Sequence, residues 1–145
     1  MNTEKCIDVC NRLLRGERSA VETYNQAIDK FRGEPAAGPL SQLRDEHHDS
    51  VGVLEQNVRS MGGKPDDTAG AWGAVANTVQ AAANLFGQNS AVEALESGEK
   101  SGKSDYESAL EDPDVMPECK DLIRQTLLPR VEEHLQALAG IQRTL

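Results

Sequence analysis

From Ile7 onward, Ile7, Cys10, Leu14, Glu17, Val21, Tyr24, Ile28 and Phe31 recur at alternating steps of three and four, the spacing that lines one face of an α-helix. The pattern predicts a first helix over about residues 4–32. Gly33, Pro35, Gly38 and Pro39 end it, because proline removes a backbone donor and glycine frees the chain. A second stripe, Leu40, Leu43, His47, Val51, Leu54, Val58 and Met61, runs to Gly62 and Gly63, which read as a left-handed C-terminal stop. After the turn signal Gly-Lys-Pro-Asp-Asp (63–67), residues 71–86 are Ala-rich and helix-permissive. A third stripe then takes in Leu85, Val92, Leu95, Glu99, Gly102, Tyr106 and Leu110. One helix over 71–111 would measure about 60 Å against about 40 Å for the first, so a break near Gly87 is expected, with 71–86 crossing the bundle as an extra helix. Pro113 and Pro117 bound the last turn. Ile123, Leu127, Val131, His134, Leu138, Ile141 and Leu145 mark a fourth helix, kinked at Pro129, whose ring displaces the Gln125 carbonyl.

Two antiparallel helix pairs joined by a long crossover define an all-α fold of the ferritin-like four-helix-bundle class, in one domain over residues 1–145. A plain bundle with a capping helix is the alternative. Composition supports helices, since 3% aromatic residues within 38% hydrophobic ones leave a core of Leu, Val, Ile and Ala, and no strand is expected. A net charge of −9 repels phosphate backbones and anionic lipid heads, which argues against nucleic acid and membrane partners. No apolar stretch approaches the ~18 residues of a membrane span, and the N-terminus lacks a basic start and an apolar block, so a cytoplasmic location is expected. Cys6, Cys10 and Cys119 are too few for a disulfide framework and contain no Cys-x-x-Cys; they read as buried thiols in a reducing compartment. Small residues at Gly52, Ala81 to Ala83 and Gly140 would let another subunit approach, and a homo-oligomer is expected.

Residues 16–28 (GERSAVETYNQAI) align without a gap on residues 98–110 (GEKSGKSDYESAL). Such a repeat is what a duplicated helix pair leaves behind, and it sets Glu17 opposite Glu99 and Tyr24 opposite Tyr106 by pseudo-twofold symmetry. A carboxylate on a core stripe is costly unless it is hydrogen-bonded, paired or bound to a metal. His47 and His134 interrupt the second and fourth stripes and supply the partners. Inward Glu and His on facing helices build metal sites in bundles, with Tyr24 and Tyr106 as neighbouring donors; the same groups also suffice for a metal-free polar network.

The chain resembles a bacterial family of ferritin-like four-helix-bundle proteins known only as a domain of unknown function. The matching segments are Gly-Gly-Lys-Pro after the second helix, Trp72, the stretch ESGEKSGKSDYESALED (96–112) and the end of the last helix around His134. The resemblance implies the fold and a kinship to bacterial stress or storage proteins, without an activity. Ferritin-like oxidases resemble one another in a Glu on the first and third helices, a Tyr seven residues after it, and Glu-x-x-His on the other two. Glu17 with Tyr24 and Glu99 with Tyr106 keep that step, whereas Arg44 and Val131 stand three residues before His47 and His134. The incomplete ligand set argues against a di-iron oxidase. Asp45-x-x-His48 is a near substitute, but position 48 lies about 100° off the stripe. With the first hairpin turning near residue 36, His47 is expected to face Tyr24, about 10 Å from the level of Glu17, while His134 comes within one turn of Glu99. Two readings follow. In the first, the chain is a structural, binding or stress-related bundle with a decayed metal site. In the second, Glu17, Glu99, His47 and His134, helped by Glu55 or Glu96, bind iron, manganese or zinc for redox or storage work.

Overall fold

The computed structural model describes residues 2–68 and 87–145, so the expected crossover helix over 71–86, Trp72 and Ala81 to Ala83 lie outside the described residues. All regular structure among the described residues is helical: α1 (Thr3–Lys30), α2 (Ala37–Ser60), α3 (Gln88–Glu111), α4 (Pro117–Leu122) and α5 (Leu128–Arg143). Asn2 caps α1, its Oδ1 accepting from Lys5 N at 3.1 Å. Gly33, at φ +81°, turns the chain into α2. Gly38 and Pro39 do not break the chain as expected. They fall in the first turn of α2, where a backbone N–H has no helical partner and proline loses nothing by lacking one. At the far end Gly62 adopts φ +83°, the left-handed stop its sequence implied.

Ahead of Pro129 the last helix changes its hydrogen-bond pattern. A π-helical turn over Ile123–Leu127 joins α4 to α5, with Leu128 N donating to the Ile123 carbonyl. The widened turn falls just ahead of a ring that cannot donate to Gln125, so the misfit is absorbed within one continuous helix.

Two apolar clusters fix the direction of each helix. One gathers Cys6, Cys10 and Leu14 with Val58, Tyr106, Cys119 and Val131. The other gathers Tyr24 and Phe31 with Leu40, Leu95, Leu138 and Ile141. Hence α1 and α5 run from the thiol end to the Phe31 end, and α2 and α3 run the opposite way. Cross-links agree: Arg18 Nη2 lies 2.6 Å from Glu55 Oε2 between antiparallel α1 and α2, and Gln142 donates to Asn89 between antiparallel α5 and α3. Since α2 and α3 are parallel, a short turn between them is excluded. Residues 61–68 return along α1, where Asp66 N donates to Asn11 and Asp66 Oδ2 pairs with Arg15 at 2.8 Å.

No helix among the described residues is long and apolar enough to cross a membrane. Of the small residues singled out in the sequence, Gly52 is exposed and Gly140 half-buried.

Candidate metal centre

Four helices each contribute one polar side chain at the level where the two apolar clusters meet. On α1 Glu17 lies between Leu14 and Ala20, on α2 His47 between Leu43 and Val51, on α3 Glu99 between Leu95 and Tyr106, and on α5 His134 between Val131 and Leu138. The helical period carries all four inward, leaving Glu17 5%, His47 2%, Glu99 0% and His134 1% exposed. These are core positions, so their polar atoms must satisfy one another.

His47 joins the two carboxylates. Its Nδ1 meets Glu17 Oε2 at 2.5 Å, and its Nε2 meets Glu99 Oε1. His134 Nδ1 lies 3.2 Å from both Glu99 Oε1 and His47 Nε2, while its Nε2 meets Glu46 Oε1 at 3.1 Å. The tyrosines cross between the repeats: Tyr24 donates to Glu99 Oε1 at 2.9 Å and Tyr106 to Glu17 Oε1 at 2.6 Å. The two bonds are reciprocal, the phenol of α1 serving the acid of α3 and the phenol of α3 the acid of α1.

The level expected for His47 is corrected. The turn occupies residues 31–36 rather than pivoting at 36, which levels His47 with Ala20, about 4.5 Å along the axis from Glu17 and within reach of both side chains. His47 also stays beside Tyr24, with ring centroids 5.3 Å apart. Glu55 is not drawn into the site, being engaged with Arg18, and Glu96 is half-buried one turn before Glu99. Asp45 and His48 are exposed, as their angle to the stripe implies. The acid that sequence reasoning did not assign is Glu46. Its signal was its place beside His47, which lets it reach the imidazole arriving from α5.

Burial opposes a charged imidazole at His47, yet the carboxylates of Glu99 and Glu17 on either side outweigh it and lift its pKa to about 10. Burial likewise opposes the Glu99 carboxylate, and the charge on His47 with the His134 hydrogen bond overcomes it, drawing the pKa down to about 2. Both phenols are held well above the ordinary tyrosine range, by burial first and then by the acids they serve.

Donors are shared unequally around Glu99. Its Oε1 faces Tyr24, His47 and His134, three groups for two lone pairs, while the buried Oε2 has no hydrogen-bond partner. A cavity of about 20 Å³, lined by Glu17, His47, Glu99, Tyr106, Gly16 and Gly102, adjoins the cluster. That is room for one water-sized occupant. One ligand atom each from His47, Glu99 and His134 lies within 4.8 Å of the others, the span over which one ion bridges its ligands. Two imidazoles with carboxylates suit a borderline divalent ion such as iron, manganese or zinc. The residues three positions before His47 and His134 are Arg44 and Val131, neither of them an acid.

Tyr106→Phe isolates one interaction in this set. Losing a hydrogen bond to a charged acceptor is expected to lower stability by about 2 kcal/mol, measured by urea unfolding, with the helical circular dichroism unchanged.

The fold and site together describe an all-helical protein built around a buried carboxylate–imidazole cluster. Residues 5–112 match the family described as Domain of unknown function (DUF2383), and the chain belongs to it. The match takes in Glu17, Tyr24, His47, Glu99 and Tyr106, and stops short of α5 and His134. No curated protein and no solved structure matches the chain.

Proposed function

We propose that this protein is a ferritin-like bundle that holds a single divalent transition-metal ion at its centre through His47, Glu99 and His134, with Glu17 held against the other ring nitrogen of His47. The observation that carries the reading is the unsatisfied Oε2 of Glu99, buried among a second acid and two imidazoles. The parallel course of α2 and α3, with antiparallel pairs α1–α2 and α3–α5, supports the ferritin-like placement. A bound ion would supply a fixed positive charge and, with an open coordination position, Lewis acidity. The chain's own residues do the rest: Tyr106 and Tyr24 orient the two carboxylates, and Glu46 orients His134 through its far nitrogen.

Charge balance makes the site exchange protons for metal. Two core carboxylates are neutralised either by protons on the imidazoles or by one divalent ion with neutral imidazoles, since a ring nitrogen that ligates must lose its proton. A second reading rests on His47, which bridges both acids without any ion and would make the cluster a purely structural network.

Calorimetric titration of the metal-stripped protein with Mn(II), Fe(II) or Zn(II), run in two buffers of different ionisation enthalpy, separates the two. One ion bound per chain with release of one to two protons is expected. Binding below a tenth of an equivalent for all three ions, with no proton release, would leave the structural reading.

A further inference from the structure

The sulfur atoms of the chain are not scattered. Cys6 and Cys10, one turn apart on α1, meet Cys119 of α4 at the end of the bundle opposite Phe31, and all three are buried. Their three Sγ atoms lie within 4.8 Å of one another, with Cys10 and Cys119 3.1 Å apart. Two N–H donors are aimed at this group: Asn57 Nδ2 at Cys10 Sγ (3.2 Å) and the Met116 backbone N–H at Cys6 Sγ (3.4 Å). Donors directed at sulfur stabilise it as an anion. The surrounding side chains, among them Val9, Leu13, Val58 and Val115, are apolar.

A surface cleft of about 390 Å³ reaches Cys119, lined by the thioethers Met61 and Met116 together with Asn57. Both methionines are half-buried and pack against the apolar cluster that contains the thiols. Exposed Glu118 also lines the cleft. Cys119 at the floor, with Cys6 and Cys10 behind it, and two thioethers at the wall make a graded path of soft donors.

We propose that Cys6, Cys10 and Cys119 form a trigonal site for a soft monovalent cation of the Cu(I) type, loaded past Met61 and Met116. Metal–sulfur bonds of about 2.3 Å set neighbouring sulfurs about 4 Å apart in a trigonal plane, within the spread of these thiols once Cys10 and Cys119 separate slightly. Thiolate and thioether donors select Cu(I) over harder ions. Zinc would take a fourth ligand, whereas among the described residues the three thiols alone make up the group of Cys, His and acidic side chains gathered here. A monovalent ion suits that shell, because one thiolate among the three sulfurs already makes the assembly neutral. The site is separate in composition from the carboxylate–imidazole cluster and does not depend on that cluster binding metal.

The test is an anaerobic titration of the reduced protein against a chromophoric Cu(I) chelator such as bicinchoninate. One equivalent of Cu(I) withdrawn per chain is expected, with X-ray absorption reporting three sulfurs at about 2.3 Å. Cys10→Ser and Cys119→Ser are expected to weaken binding more than about 100-fold, beyond the effect carried by the outer partners of a metal site. Met61→Leu with Met116→Leu is expected to slow loading at least tenfold and leave the affinity unchanged. Failure of the wild type to withdraw Cu(I), a nitrogen or oxygen shell around the copper, or uptake that survives both Cys→Ser variants would each overturn the proposal. The absorption spectrum of the wild type decides the matter even if a Cys variant does not fold.

Discussion

Glu99→Ala is expected to abolish uptake of a divalent ion at the carboxylate–imidazole cluster and to destabilise the metal-free protein by about 3–5 kcal/mol. At ~3 °C per kcal/mol for a chain of this size, the Tm falls by about 10–15 °C. The reason is the concentration of donors on one side chain. Removing it takes a buried acceptor away from the Tyr24 hydroxyl, from His47 Nε2 and from His134 Nδ1 at once. Each of these groups keeps its desolvation cost and loses part of its compensation. The half-buried pair Arg18–Glu55 offers a contrast, where Glu55→Ala is expected to cost no more than about 1 kcal/mol. Glu99→Gln divides the two roles of the residue. The amide keeps an acceptor for Tyr24, so folding suffers less, but it gives up the charge an ion requires. Differential scanning calorimetry of the variants, with metal analysis on the same samples, reads both effects.

Stability should also trace a distinctive curve with pH. In the folded protein His47 titrates near 10, above the ordinary histidine value of about 6.5. Its contribution is therefore complete below pH 6.5 and drains away as pH rises toward 10. Glu99 titrates near 2 against an ordinary value near 4.5, so its contribution is complete above pH 4.5 and lost as pH falls toward 2. The metal-free protein is thus expected to be most stable between pH 4.5 and 6.5, losing on the order of 3–5 kcal/mol on the alkaline side. The acid and alkaline losses largely reflect one His47–Glu99 attraction, so they do not add as independent terms. A divalent ion inverts the alkaline limb, because it needs neutral imidazoles. The Tm gained from Mn(II) or Zn(II) is therefore expected to grow from pH 5.5 to 8.5, and a gain that stays constant or shrinks over that range would contradict proton–metal exchange.

Much of this was legible in the sequence because hydrophobic periodicity reports which face of a helix is buried, and Glu17, His47, Glu99 and His134 each sit on that face. The matching Gly-Glu and Tyr-x-x-Ala segments put Glu17 with Tyr24 and Glu99 with Tyr106 at like places on α1 and α3. Axial level was harder. A few residues' difference in where a hairpin turns moves a side chain by several ångströms, and Gly38-Pro39 read equally well as a turn or as the first turn of α2. Glu46 was hidden for a related reason. It is half-buried rather than on the core face, and its role depends on His134 arriving from another helix. Ala20 and Ala27 broaden the buried face of α1 beyond the single stripe, because small side chains allow helices to approach without marking a period. The gathering of three thiols depended on where α4 meets α1, which no local pattern encodes.

The most direct measurement is anomalous X-ray scattering from crystals of the protein grown with Mn(II) or Zn(II). One anomalous peak per chain is expected, about 2.0–2.3 Å from an oxygen of Glu99 and nitrogens of His47 and His134. A peak-free core with His47 still bridging Glu17 and Glu99, or a cation found only at surface carboxylates, would contradict the central metal site.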